Sequence, residues 1–242
     1  MPKKKKAVKA AKPAKAAKTK VKKSATPKVK KLAKTKVKKS AKSKAKKAVK
    51  TLTPAVEGTA QLVGSETVFE GPLFRVLRDR LIEPGGREAL RDIVRHNGSV
   101  VILAIDSAKN KRDPWVVIER QYRHAANRFL WELPAGKLEA GEDALAGAQR
   151  ELEEETGYRA RKWKPLVEYY ASPGFLGESM KVFVAEGLQA GDAHPEADEE
   201  IEFRLVKLSQ VLKMIEKGAI LDGKTLTSVL LFARLGAGKR KK

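Results

Sequence analysis

The chain has 242 residues, contains no cysteine and carries a formal net charge of +23 at pH 7. The absence of cysteine excludes disulfides, thiolate zinc sites and cysteine nucleophiles, and no apolar run approaches the length of a transmembrane helix. The first 50 residues hold 23 lysines and no acidic residue, whereas the rest of the chain carries 29 basic and 29 acidic residues. The excess charge therefore belongs to an N-terminal tail.

Residues 1–53 are a low-complexity segment of Lys, Ala, Val, Thr and Ser without any aromatic residue. Such a segment buries too little apolar surface to offset its chain entropy, so we expect a disordered lysine- and alanine-rich tail. Its composition resembles the tails of linker histones and of some bacterial nucleoid proteins. Two interpretations stay open: a solubilising tail, or non-specific DNA or RNA binding through residues 1–50. No secretory signal is present, so we expect a cytoplasmic protein, nucleoid-associated if the tail binds DNA.

From residue 61 onward the sequence predicts a domain rich in strands. Residues 54–95 are predicted to form an antiparallel N-terminal strand region, because the segments 61–69, 73–83 and 87–95 are separated by turn signals such as Pro84-Gly85-Gly86. Residues 96–238 are predicted to form a second domain. Its strands are expected at residues 99–106, 115–122, 129–133, 164–171, 181–185 and 201–206, with an acidic loop at 187–199.

Three helices are predicted within the second domain. The first covers residues 143–156 and is closed by Gly157, which suits the left-handed conformation that often follows a helix. The second covers residues 209–217, with Ser209 as its N-cap, and the third covers residues 224–235. A mixed sheet with few helices indicates the α+β class, arranged as an α/β/α sandwich.

The first predicted helix carries an unusual group of carboxylates. At about 100° per residue, Glu151, Glu154 and Glu155 fall within one arc, whereas Glu153 points away. Acids at i, i+3 and i, i+4 repel one another, and acids in the last turn oppose the helix dipole, so the arrangement is costly unless a cation fills it. Oxygen ligands without Cys or a His cluster favour a hard ion, Mg²⁺ or Mn²⁺. The alternative is a solvated acidic face paired with lysines.

The residues around this helix complete a longer pattern. Five residues separate Gly136 from Glu142, seven more lead to Arg150, and the sequence Arg-Glu-Leu-x-Glu-Glu-x-Gly then ends at Gly157. This pattern resembles the Nudix box, with one departure at Tyr158, where the family usually has an aliphatic residue. The resemblance implies a Nudix fold, hydrolysis of a diphosphate joined to a nucleoside-type group, and a divalent metal.

Further segments resemble the ADP-ribose pyrophosphatases within that family. They are residues 94–100, Glu119-Arg120-Gln121-Tyr122-Arg123, residues 131–136 and Ser172-Pro173-Gly174-Phe175, and the resemblance spans residues 67–235. It implies magnesium-dependent hydrolysis of ADP-ribose to AMP and ribose 5-phosphate, or of a related nucleoside diphosphate sugar. The alternatives are a Nudix hydrolase acting on RNA ends, or a nucleic-acid-binding protein whose Nudix domain senses a nucleotide.

The resemblance also implies roles for individual residues. It points to Glu178 as the general base, with Glu154 as the alternative. Glu132 lies beside Trp131 in an otherwise apolar segment, so it either contacts substrate or metal or pairs with an arginine. The strands of residues 61–95 are implied to form a homodimer interface at which Phe69 or Phe74 stacks on the adenine. The candidate catalytic residues are Glu154, Glu178 and Arg150; the candidate metal ligands are Glu151, Glu154, Glu155 and the Ala135 carbonyl; the candidate substrate contacts are Arg123, Arg120, Glu132 and Phe74; the structural positions are Gly136, Glu142 and Gly157.

Overall fold

A computed structural model of the chain describes residues 58–108, 110–194 and 200–238. The predicted tail at residues 1–53 and part of the predicted acidic loop lie outside the described residues. The α+β class is confirmed, with two sheets and helices on both faces of the larger one. The strands are β1 (Gln61–Glu70), β2 (Arg75–Ile82), β3 (Glu88–Arg95), β4 (Ser99–Asp106), β5 (Trp115–Arg123), β6 (Arg128–Glu132), β7 (Ala135–Lys137), β8 (Arg159–Tyr170), β9 (Ser179–Gln189) and β10 (Glu202–Lys207), and the helices are α1 (Ala144–Thr156), α2 (Leu208–Glu216) and α3 (Gly223–Gly238).

The first three strands form an antiparallel sheet of their own, in the order β1-β2-β3. Most side chains of β1 are exposed, including Leu62, Val68 and Phe69. The far end of β3 is tied to the loop between β8 and β9, because the Val94 N–H donates to the Phe175 carbonyl (2.7 Å) and the Gly177 N–H donates to the Val94 carbonyl (2.9 Å). The small sheet is thus attached to the segment that leads to Glu178.

The larger sheet has the order β10-β5-β4-β9-β8, with β6 beside β5 and β7 beside β4. Residues 99–105 of the central strand β4 are all buried, because helices cover both of its faces. On one face Ile102 packs near Leu152 of α1, and on the other Leu103 packs near Val211 of α2 and Val229 of α3. This is the α/β/α arrangement. In the part of the chain that the structure describes, no helix combines the length and apolarity needed to cross a membrane.

Two local details differ from the predictions. Residues 135–137, which no predicted strand or helix covered, form the short strand β7, which pairs antiparallel with the start of β4. The prediction that Ser209 caps α2 is wrong, since the helix begins at Leu208 and no side chain caps it in that way. Instead the Asp113 carboxylate accepts hydrogen bonds from the Ser209 N–H (2.8 Å) and hydroxyl (2.9 Å).

Candidate active site

Helix α1 is capped at both ends. Asp143 is its N-cap, and one carboxylate oxygen accepts from the Leu145 and Ala146 N–H groups at 3.0 Å each. Gly157 ends the helix with φ +68°, and a Cβ at this position would lie 2.4 Å from the Gly191 carbonyl oxygen. Only glycine avoids both the backbone strain and the collision. The angular positions of the carboxylates on α1 are therefore well defined.

Arg150 lies at the centre of the carboxylates on α1. Its guanidinium forms ion pairs with Glu142 (3.1 Å), Glu151 (2.9 Å) and Glu154 (2.9 Å). The hydrogen bond from Arg150 is the main cause that lowers the pKa of Glu142, and the same contact raises the pKa of Arg150. Arg150 thus offsets the mutual repulsion of these acids. Glu153 faces elsewhere and pairs with Arg159 on the exposed surface.

Glu155 and Glu151 enclose the backbone of β7. The Glu155 side chain is 3% exposed, and its carboxylate accepts from the Ala135 N–H at 3.1 Å. The Glu151 carboxylate lies against Gly136, where a Cβ would come within 1.9 Å of it. Glycine at position 136 is therefore required for this close approach, and it brings the Ala135–Gly136 backbone beside two carboxylates of α1.

The Glu151 and Glu155 carboxylates and the Ala135–Gly136 backbone form an oxygen-rich corner. Its oxygen donors are of the type that a hard divalent cation prefers. Two carboxylates and a backbone segment lie together, and the chain has no cysteine to favour a softer metal. Within residues 58–108, 110–194 and 200–238, no three acidic or histidine side chains already form a closed metal-binding group. Glu151 and Glu154 are directed to Arg150 instead. Loading a cation would therefore require these carboxylates to exchange part of their contact with Arg150 for the metal.

Glu178 is fixed near the same corner. The Ser99 hydroxyl donates to the Glu178 carboxylate at 2.7 Å, and the His96 Nδ1 atom lies 3.8 Å from the same oxygen. Ser99 pairs with Lys137 across β4 and β7, one residue from Gly136. Sequence reasoning assigned no role to Ser99 or His96, because nothing in the sequence shows that residues 79 positions apart share a hydrogen bond.

Phe74 lies in a neighbouring cleft. A space of about 330 Å³ is lined by residues 70–75 and 95–97, including Phe74, Arg95 and His96. The Phe74 ring is partly exposed and contacts Phe69 at a centroid distance of 5.7 Å. Because His96 also contacts Glu178, the cleft of Phe74 adjoins the segment that carries this carboxylate.

Glu132 is the buried partner of Arg123. It is 1% exposed, and its two oxygens accept from Arg123 Nε and Nη2, both at 2.9 Å. Lys224 also donates to Glu132. Burial opposes ionisation of Glu132, but the Arg123 hydrogen bonds and the charge of Lys224 outweigh it and lower its pKa. Of the alternatives for Glu132, the structure shows the pairing with an arginine.

Glu119 is an unexpected member of this buried group. It is 0% exposed, and it pairs with Glu132 in the register of β5 and β6. Burial is the largest cause that raises the pKa of Glu119 to about 7, and the charges of Lys224 and Arg123 act in the opposite direction. Its sequence context, between Ile118 and Arg120 of a strand, gave no signal of this role.

Arg120 does not join this group. Successive residues of a strand point to opposite faces, so Arg120 and Arg123 lie on different faces of β5. The Arg120 guanidinium stacks 4.3 Å from the centroid of the Phe129 ring and lies 4.0 Å from Glu202. Both arginines were predicted to contact the substrate, and the structure brings Arg123, but not Arg120, to the buried acids.

The chain is similar in sequence to proteins of a known family. The model of the NUDIX domain family matches residues 95–228. The chain is 36% identical over 170 residues to an ADP-ribose pyrophosphatase of Bacillus subtilis (strain 168), covering 69% of this chain and 89% of that protein. It is 36% identical over 174 residues to an ADP-ribose pyrophosphatase of Mycobacterium tuberculosis, covering 70% of this chain and 81% of that protein.

Two further similarities are informative. A methanol dehydrogenase activator of Bacillus methanolicus is 37% identical over 169 residues, which cover 69% of this chain and 89% of that protein. A crystal structure of an ADP compounds hydrolase superposes with a TM-score of 0.64 at 18% identity, covering 76% of this chain and 98% of that one. At that identity the structural match supports the fold alone.

Proposed function

Because the chain belongs to the NUDIX family and is a pyrophosphohydrolase of that family, we propose that it hydrolyses the diphosphate linkage of ADP-ribose, or of a related nucleoside diphosphate sugar, with Mg²⁺. Enzymes of this family generally use divalent metal ions. The observation that carries the proposal is the corner formed by Glu151, Glu155 and the Ala135–Gly136 backbone, in a chain similar to proteins named ADP-ribose pyrophosphatases.

The proposed metal ligands are Glu151, Glu154, Glu155 and the Ala135 carbonyl. Bound divalent ions supply charge neutralisation of the diphosphate and a water molecule of lowered pKa. Arg150 would hold Glu142, Glu151 and Glu154 in place until the metal ions bind. Mn²⁺ would fit the same oxygen donors.

The proposed base is Glu178. Its contact with the Ser99 hydroxyl holds one carboxylate oxygen near the end of β7 and leaves the other to accept a proton from water. Glu154 is the second candidate for this role, because 40% of its side chain is exposed, compared with 13% of the Glu151 side chain. Arg123 would contact the substrate phosphates, since 37% of its side chain is exposed while Glu132 fixes its orientation.

A substrate panel tests the proposal. The purified protein and a variant lacking residues 1–53 are incubated with Mg²⁺ and ADP-ribose, GDP-mannose, NADH or triphosphate-ended RNA. We expect ADP-ribose to be the best substrate and the deletion to leave its turnover intact. Glu154→Gln should lower turnover strongly, whereas Glu153→Gln is the matched control on the same helix, because Glu153 pairs with Arg159 instead. Unchanged turnover in Glu154→Gln, or RNA as the preferred substrate, contradicts the proposal.

We also propose that residues 1–50 bind nucleic acid without sequence preference. Their 23 lysines and lack of acidic residues support this, because lysines that neutralise phosphates release counterions. The logarithm of DNA affinity should fall against the logarithm of salt concentration with a slope of about −0.9 per phosphate contacted. The variant lacking residues 1–53 is the control, and a salt-independent affinity contradicts the proposal.

A homodimer is the proposed assembly. The support is the exposed apolar surface of the three-stranded sheet, where Leu62, Phe69 and Leu90 are each more than half exposed. Light scattering after size-exclusion chromatography should give twice the chain mass. Leu62→Lys should shift the protein toward the monomer, and a monomeric wild type contradicts this assembly.

A further inference from the structure

The first turn of α3 reaches the pair formed by Glu132 and Arg123. Lys224 donates to Glu132 Oε2, and its Nζ atom lies 3.2 Å from Asp222 Oδ1. The Lys224 side chain is 10% exposed, so its charge is directed inward. Its charge also acts on the buried Glu119 carboxyl. Lys224 is therefore a buried cation that faces several acidic side chains.

Thr225 fixes the same helical turn to the strand that carries Glu132. Its hydroxyl accepts from the Leu133 N–H at 2.8 Å and donates to Asp222 Oδ2 at 2.7 Å. The same Asp222 oxygen accepts from the Thr225 N–H at 2.9 Å, which caps the helix. The start of α3 is thus held at a set distance from the end of β6, and Lys224 has little freedom to move away.

The orientation of Arg123 depends on this arrangement. Two of its guanidinium nitrogens, Nε and Nη2, are committed to Glu132, which sets the plane of the group. Without Lys224, Glu132 would share its buried surroundings with Glu119 and lose one of its two cationic partners. Removing a partner from a buried ionic group leaves a charge without compensation and favours rearrangement.

We propose that Lys224 is a positioning residue for substrate binding: it anchors Glu132 so that Arg123 presents its remaining N–H groups to the substrate phosphates. This rests on the proposed function, because it assumes that Arg123 contacts the diphosphate. Lys224 acts through Glu132 and Arg123 and touches no reacting atom. Its loss should therefore weaken substrate binding more than it slows the chemical step.

Steady-state kinetics of the full-length protein with ADP-ribose and Mg²⁺ test this role. Lys224→Met should raise KM about tenfold, comparable with the loss of one charged hydrogen bond, and leave kcat nearly unchanged. Lys224→Arg should restore most of the affinity because it keeps the charge. Lys217→Met, at an exposed lysine after α2, is the matched control and should leave both constants unchanged. Thermal unfolding of each variant checks that the fold is retained.

A double-mutant cycle separates positioning from general stability. In an Arg123→Lys background, which loses the two-point contact with Glu132, Lys224→Met should change KM by less than about twofold. A full tenfold effect in that background overturns the proposal, as does an unchanged KM in the single variant. If Lys224→Met does not fold, Lys224→Gln replaces it in the same cycle with the same criteria.

Binding measured without turnover distinguishes failure of the positioning role of Lys224 from failure of the proposed function. Calorimetric titration of ADP-ribose is carried out in the Glu154→Gln background, with and without Lys224→Met. A weaker Kd on loss of Lys224 supports the positioning role, and an equal Kd overturns it. If the wild type hydrolyses ADP-ribose but Lys224→Met behaves as wild type, the inference fails while the proposed function stands. If the wild type hydrolyses no substrate of the panel, the proposed function fails.

Discussion

The site contains two ionic clusters that differ in depth. The first, which we call the rim cluster, comprises Glu142, Arg150, Glu151 and Glu154 and is partly open to solvent. The second, the buried cluster, comprises Glu119, Arg123, Glu132 and Lys224, and its two acids are almost fully enclosed.

The difference in depth suits two different tasks. Charges near the surface are weakly coupled and exchange partners at low cost, so we expect the rim cluster to release its carboxylates from Arg150 to the proposed metal ion. Charges in a low-dielectric interior are held strongly and are costly to separate, so the buried cluster can fix the direction of Arg123. Substitutions in the two clusters should separate these two tasks.

The buried cluster should carry more stability than an exposed pair of similar geometry. Glu132→Ala should lower the free energy of unfolding by about 3–5 kcal/mol, because Arg123 and Lys224 lose a buried partner. The control is Asp92→Ala, which removes the exposed cross-strand pair of Arg78 and Asp92 and should leave the denaturation midpoint unchanged. Urea denaturation measures both, and equal shifts would contradict the division.

The rim cluster and its neighbour Glu155 should matter for catalysis. Glu155→Gln keeps an oxygen for the Ala135 N–H but loses the charge, so kcat should fall by about 10–100-fold and the Mg²⁺ requirement should rise. Kinetics as a function of Mg²⁺ concentration measure both quantities. A variant with wild-type kcat at saturating Mg²⁺ would show that Glu155 is only a structural residue.

The raised pKa of Glu119 predicts a pH dependence of stability. Between its ordinary value of 4.5 and about 7, the folded metal-free protein retains a proton that the unfolded chain has released, so stability should fall as the pH rises through this window. Glu119→Gln mimics the protonated form. It should therefore stabilise the protein by about 1–3 kcal/mol at pH 8 and have little effect at pH 4. Denaturation in EDTA at both pH values checks this, and equal effects would refute it.

The two arginines of β5 should differ in their effect on KM. Arg123→Ala should raise KM for ADP-ribose by about tenfold or more, as expected for a charged hydrogen bond to phosphate. Arg120→Ala should change it by less than about threefold, because its guanidinium stacks on Phe129 at the opposite face. Similar effects from both variants would mean that Arg120 also reaches the substrate.

Much of α1 could be predicted because its signals are local. Asp143 begins the helix, Gly157 ends it, and the helical repeat separates Glu153 from Glu151, Glu154 and Glu155. The strands were found from alternating or continuous apolar runs, although β8 and β9 extend beyond the predicted segments. These two strands are longer because cross-strand pairing continues through charged residues that weaken the sequence pattern.

The contacts that complete the site could not be predicted. Lys224 and Glu132 are 92 positions apart, and Ser99 and Glu178 are 79 apart, so no helical or strand repeat relates them. The short strand β7 was missed because its three residues owe their conformation to pairing with β4. Arg120 was grouped with Arg123 by proximity in sequence, whereas strand alternation separates them.

The attachment of β3 has a mechanical consequence. Val94 is clasped by backbone hydrogen bonds from either side of Leu176, two residues before Glu178. The small sheet is therefore connected through Val94 to the loop that leads to Glu178, whose carboxylate Ser99 contacts. We expect a fluorophore or fusion placed in the turn at Pro84–Gly86, at the other end of β3, to alter turnover rather than to act as an inert label.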